Sequence, residues 1–215
     1  MAEPLNEVEI RILGCLVEKQ LTTPEYYPLT LNALTAACNQ RSNRDPVVSY
    51  DETTILRSID ELRDRNLVYL FYGSSSRTVK YKHMLPSYFQ LTEAETAVLT
   101  VLMLRGPQTL GEIRERTGRL HEFGGIGEVQ QALDEMAARV EPVVIKLERQ
   151  PGQKEARYAH LLSGEVDASS ISAPKERVPT AANEKVEMLE QEIEMLKQQL
   201  AELRTEFDTF RSQFG

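Results

Sequence analysis

Three histidines, two cysteines and one glycine-rich loop are the residues of this 215-residue chain with the most obvious chemistry. His83 and His160 occupy the same place in an internal repeat, each two residues after a tyrosine (Tyr81, Tyr158). Symmetric placement in a duplicated segment points to packing, and His121 stands apart from both. Cys15 falls on an apolar helical stripe, where a thiol behaves as a small hydrophobe, and Cys15 with Cys38 is too few for a disulfide framework. No Cys/His cluster has metal-ligand spacing. Gly124-Gly125-Ile126-Gly127 precedes a helix, but no strand leads into it and no phosphate-binding lysine follows. The residues therefore predict no enzyme, no cofactor and no metal.

A second set of residues suits a polyanion. Thr53, Thr54, Arg57 and Ser58 fall on the outward positions of a helix and could reach bases or phosphates. Arg77, Lys80 and Lys82 lie along a strand that could track a phosphate backbone. Arg41, Asn43 and Arg44 sit in the polar loop Asn39–Pro46 and could add to it. Asp51 and Glu52, at the start of that helix, count against groove entry, although acidic residues are ordinary at helix starts.

The elements that hold these residues are read from the repeat. Leu5, Val8, Ile12, Cys15 and Leu16 recur as Leu91, Ala94, Val98, Val101 and Leu102, an offset of 86. Val79–Leu85 recurs as Ala156–Leu162 at an offset of 77, and Ile59-Asp60-Glu61-Leu62 as Leu133-Asp134-Glu135-Met136 at 74. Asn6 with Glu9, and Thr92 with Glu95, are capping-box pairs that open the first helix of each copy. In the first copy that helix runs to about Lys19, Thr30 caps a second, and a third starts at Tyr50 or Asp51. A hairpin follows, Leu67–Tyr72 and Arg77–His83, turned by Gly73–Ser76. In the second copy the helices run to Leu104, over Leu110–Arg116 and onward from the loop Gly118–Gly127, with strands Val143–Leu147 and Ala156–Leu161. Three helices and a hairpin predict a winged helix, written twice. The fall in offset from 86 to 74 gives the first copy 12 extra residues around its second helix. An extra polar loop is where function tends to reside.

Residues 164–183 read as a flexible linker, with a reach of roughly 25 Å. A heptad follows: Val186, Ile193, Leu200 and Phe207 at a, Leu189, Leu196, Leu203 and Phe210 at d. In a parallel pair, Lys185 faces Glu190, Glu192 faces Lys197 and Glu206 faces Arg211, whereas an antiparallel pair sets like charges together. A parallel coiled-coil homodimer is predicted. The architecture expected is α+β, mainly α: winged-helix domains at 1–88 and 89–163, the linker at 164–183 and a coiled-coil helix at 184–215.

The formal charge of −8 is concentrated in the tail. Residues 1–88 carry 10 Lys/Arg against 11 Asp/Glu, residues 89–163 carry 9 against 11, and residues 164–215 carry 6 against 11. The near-neutral repeats leave DNA binding to local patches. No apolar run spans a membrane and the N-terminus lacks a signal pattern, so the cytoplasm is the expected compartment.

Cys15-Leu16-Val17-Glu18-Lys19-Gln20, Thr23-Pro24-Glu25, Tyr27-Pro28-Leu29, Ala37-Cys38-Asn39-Gln40 and Asn43-Arg44-Asp45-Pro46-Val47 resemble the YceH family of bacterial proteins, as do Leu104-Arg105-Gly106 and Gln108-Thr109. The resemblance spans about residues 5–165 and implies a tandem winged-helix fold, with no activity attached. The function expected is that of a dimeric double-stranded-DNA-binding protein, a transcriptional regulator. Its rival is a protein-interaction module that binds a partner chain.

Overall fold

The computed structural model describes residues 3–72, 78–149, 153–164 and 166. They fall in one compact unit, Met1–Ile171; a second, Ser172–Gly215, lies outside them. The heptad residues Val186, Leu189, Ile193, Leu196, Leu200, Leu203, Phe207 and Phe210 therefore lie outside the described residues, as does Arg77.

The fold is mixed α+β. The first copy runs α1 (Glu7–Thr22), a short 3-10 turn (Pro24–Tyr26), β1 (Leu29–Thr30), α2 (Leu31–Cys38), α3 (Glu52–Asp64), β2 (Val68–Tyr72) and β3 (Val79–His83). The connector α4 (Leu85–Phe89) leads to α5 (Glu93–Arg105), β4 (Gln108–Thr109), α6 (Leu110–Thr117), α7 (Ile126–Ala137), β5 (Val144–Lys146) and β6 (Arg157–His160). Each copy builds a three-stranded antiparallel sheet, ordered β1-β3-β2 and β4-β6-β5. The two-residue strands β1 and β4, and α4, are too short for periodicity to reveal. Helix α7 starts at Ile126, two residues earlier than a loop running through Gly127 predicts.

Caps set the helix starts. Asn6 accepts from the backbone of Val8 and Glu9 while Glu9 accepts from the Asn6 N–H, and Thr92 with Glu95 makes the same box. Thr109 with Glu112 makes a third. The buried Glu9 and Glu95 are each met by an arginine just after the third helix: Arg65 at 3.7 Å and Arg139 at 2.6 Å. Arg65 also donates to the carbonyls of Glu3 and Pro4, and Arg139 to those of Phe89 and Gln90. The repeat is thus preserved in a polar clamp from helix-three end to helix-one start.

The two copies share one hydrophobic core, with α1 packed on α5. Gly14 permits that approach: a Cβ there would stand 2.8 Å from Leu104 Cδ2. Leu5 N–H also donates to Leu162 C=O at 2.8 Å, joining the start of the first copy to the end of the second. The 12-residue surplus is distributed over three places. Helix α1 has 16 residues against 13 in α5. The connector to the first strand is four residues longer, and the loop before helix three is five longer. No helix of the described residues is long and apolar enough to cross a membrane.

Candidate nucleic-acid interface

Antiparallel pairing decides which side chains share a face of a hairpin. Tyr69 stands opposite Lys82 and Phe71 opposite Lys80. Directly opposed residues point to one side, and i, i+2 residues point alike. Tyr69, Phe71, Lys80 and Lys82 therefore form a two-by-two patch of aromatics and lysines on the outer face of β2–β3. Val68, Leu70, Tyr81 and His83 take the inner face against the core. Tyr69 and Phe71 are 48% and 46% exposed, Lys82 is exposed and Lys80 half-exposed. Tyr72, at the hairpin end, is exposed as well. Burying aromatic rings normally stabilises a fold, yet three of the five β2 residues are aromatics left partly in solvent.

Helix α3 presents a weaker surface. Thr53 and Arg57 are exposed and Thr54 is half-exposed, as expected. Ser58, expected to face outward, is buried: it follows Ile55 by three residues and so shares the apolar stripe. The exposed face also carries Glu52, Asp60, Glu61 and Asp64. Arg57 lies 3.4 Å from Glu61, and Arg63 lies 2.6 Å from Asp60, so each cation of this helix has a carboxylate beside it at the surface. Asp51 caps the N-terminus, accepting from Thr54 N–H at 2.7 Å, and that backbone bond holds its carboxyl below the usual range. The end that would enter a groove thus carries a firm negative charge.

The loop before α3 overturns one expectation. Arg44 is buried, not surface-exposed. Its guanidinium is forked on Glu18, with Nη2–Oε2 at 2.5 Å, and donates to Ala37 C=O, Asn43 C=O and Gln40 Oε1. Five donors in a plane satisfy carbonyls and a carboxylate at once, which is why an arginine stands here. Asn43 adopts a left-handed backbone (φ 57°), and its Oδ1 accepts from Arg105 at the end of α5. Asp45 N–H donates to Leu104 C=O at 2.9 Å. Asn39 pairs both ways with the Tyr50 backbone, at 2.8 Å each. The longer loop is a clasp onto the second copy. Of Arg41, Asn43 and Arg44, only Arg41 is fully exposed.

The profile of a family described as "Protein of unknown function, DUF480" matches residues 5–153. The chain belongs to this family. A UPF0502 protein of Opitutus terrae is 56% identical over 176 residues, covering 81% of this chain and 76% of that one. UPF0502 proteins of Geobacter sulfurreducens and Geobacter metallireducens are 50% and 52% identical, covering 98% and 100% of both chains. These names attach no chemistry to any DUF480 residue, so the geometry must do so.

In this DUF480 chain the second hairpin offers no equivalent patch. The register places Ile145 and Ala159 where Tyr69 and Lys82 stand, and Leu147 and Arg157 where Phe71 and Lys80 stand. Leu147 and Ala159 are buried. Arg157 is held 3.1 Å from Glu112. Burial pushes the pKa of His83 down to about 4, Lys82 adding to it, and burial does the same to His160. Both imidazoles are neutral near pH 7, as packing groups should be. Among the described residues no group of three or more His, Cys, Asp or Glu could hold a metal.

Tyr69 and Phe71 were not among the residues singled out from sequence. Their signal was the interleaving itself: Val-Tyr-Leu-Phe-Tyr alternates aromatic with aliphatic, and Val-Lys-Tyr-Lys-His answers with lysines in the same phase.

Proposed function

We propose that this is a non-enzymatic winged-helix protein that binds double-stranded DNA through the hairpin of its first repeat. Helix, strand, helix, helix and hairpin, with the last strand central in the sheet, support the winged-helix reading of each copy. The observation that carries the DNA reading is the exposed Tyr69/Phe71/Lys80/Lys82 face. Two lysines at strand spacing meet successive phosphates, while the rings lie against sugars or wedge at a base step. Arg41, Thr53, Thr54 and Arg57 supply flanking contacts, and the acidic N-terminus of α3 keeps that helix from deep entry. The heptad at 186–210 supports a parallel homodimer, which places two such hairpins on one duplex.

Binding of a fluorescent genomic duplex by the full chain tests this reading. Affinity should fall steeply with salt, since phosphate neutralisation releases counterions. No anisotropy change at low salt would remove it.

One observation favours a second reading. The β2 strand is a sheet edge with three exposed aromatics, and α3 beside it exposes Leu56 among carboxylates. Such a surface suits a protein partner that adds a strand. A stoichiometric partner bound with little salt dependence, through Tyr69 and Phe71 alone, is the outcome this reading expects.

A further inference from the structure

We propose that a cavity between the two repeats binds a small organic carboxylate, with Arg11 as its counter-ion. The cavity has a volume of about 420 Å³, within the size range of small-molecule sites. Helix α1 contributes Ile10, Arg11 and Glu7, the clasp loop contributes Asp45 and Pro46, and the second copy contributes Met103 and His160.

Arg11 is the reason to look there. It is 4% exposed, and a buried cation is costly unless it is paired. Arg44, the other buried arginine, obeys that rule by meeting Glu18, and even the partly exposed Arg65, Arg139 and Arg157 each meet Glu9, Glu95 or Glu112 within 4 Å. Arg11 meets no carboxylate at that distance among the described residues. It donates to Pro46 C=O at 2.6 Å and to Cys38 C=O at 3.4 Å. Those two carbonyls leave other N–H groups of the guanidinium open to a ligand. His160 lines the same cavity, and its buried Nδ1 has no hydrogen-bond partner. Burial keeps that imidazole neutral, so it brings no charge to the cavity.

The class of ligand follows from the other groups. Ile10 and Met103 are buried and apolar, suited to a hydrocarbon body. Glu7 and Asp45 are exposed and bring negative charge to the cavity. One carboxylate on Arg11 is compatible with that surrounding, and a dianion is penalised by it.

Isothermal titration of the full chain with acetate, 4-methylpentanoate and benzoate tests the proposal, with benzyl alcohol and inorganic phosphate as controls. At least one apolar carboxylate should bind saturably, one per chain, and at least tenfold tighter than benzyl alcohol or phosphate. Arg11→Gln should weaken it at least tenfold. Should that variant fail to fold, the exposed Glu7→Gln serves instead and should tighten binding two- to threefold. No saturable carboxylate binding up to tens of millimolar, equal binding of benzyl alcohol, tighter binding of phosphate, or no change in the variant that folds would each overturn it. DNA binding plays no part in this readout.

Discussion

The two hairpins are built on one plan and finished differently. Both put a tyrosine and a histidine inward at the end of the last strand, and both pair that strand with a two-residue strand ahead of the second helix. On the outer face the first shows Tyr69, Phe71, Lys80 and Lys82, while the second shows Ile145, Leu147, Arg157 and Ala159 with most of the surface buried and the one cation paired. Inner positions are dictated by the core, so duplication preserves them. Outer positions answer to whatever they touch, and only the first copy keeps them in solvent with aromatics and free-standing lysines. The difference between copies is therefore the basis for proposing the DNA contact at the first hairpin, whereas the difference in loop length serves the packing of the clasp.

The shared inner face has the largest consequence. His83 and His160 titrate near 4 when folded and near 6.5 when unfolded, so the unfolded chain binds more protons between those values. Stability is full above about pH 6.5 and falls as pH drops toward 4, by about 3 kcal/mol for each histidine. Urea denaturation between pH 7 and pH 4 should show this loss, and a flat profile would break the claim that the two sites are equivalent packing positions. Next comes the clasp. Arg44→Ala strands Glu18 beside a closed loop and should cost about 3–5 kcal/mol, as removal of one partner from a buried pair does. A change in DNA affinity with unaltered thermal stability would return Arg44 to the interface. Tyr69→Ala and Phe71→Ala on the first hairpin should each cost about 1–3 kcal/mol of binding, whereas Ile145→Ala on the second should leave binding unchanged. Smallest is the effect of a single lysine: Lys80→Ala or Lys82→Ala should lower the salt slope by about 0.9 each.

Much of this fold was legible because helix caps and core stripes are local. Asn6 with Glu9, Thr30, Thr92 with Glu95, and Thr109 each sit at the helix start the sequence assigns, since a cap needs only residues within one turn. The 12-residue surplus was legible as a number but misread in meaning. Asn39–Pro46 looks like a cationic surface loop until α5 lies beside it, and the partners of Asn43 and Asp45 are about 60 residues away in sequence. Arg44 shows the same limit. Its type announced a surface cation, and only the fold brings Glu18 to it. The Tyr69/Phe71 face was missed for a different reason. Aromatics in a strand ordinarily signal core, and the register that turns them outward beside lysines is fixed by pairing, which a single strand does not reveal.

The hairpin claim is tested most directly by one comparison of salt slopes. Wild type and the quadruple variant Tyr69→Ala, Phe71→Ala, Lys80→Ala, Lys82→Ala are titrated onto the same duplex across a range of salt concentrations, with thermal melts alongside. Because these side chains leave the core untouched, the variant should melt near wild type, bind at least a hundredfold more weakly at low salt, and lose about 2 from its slope. A folded variant with unchanged affinity and slope would contradict the assignment of the first hairpin as the DNA-contacting surface.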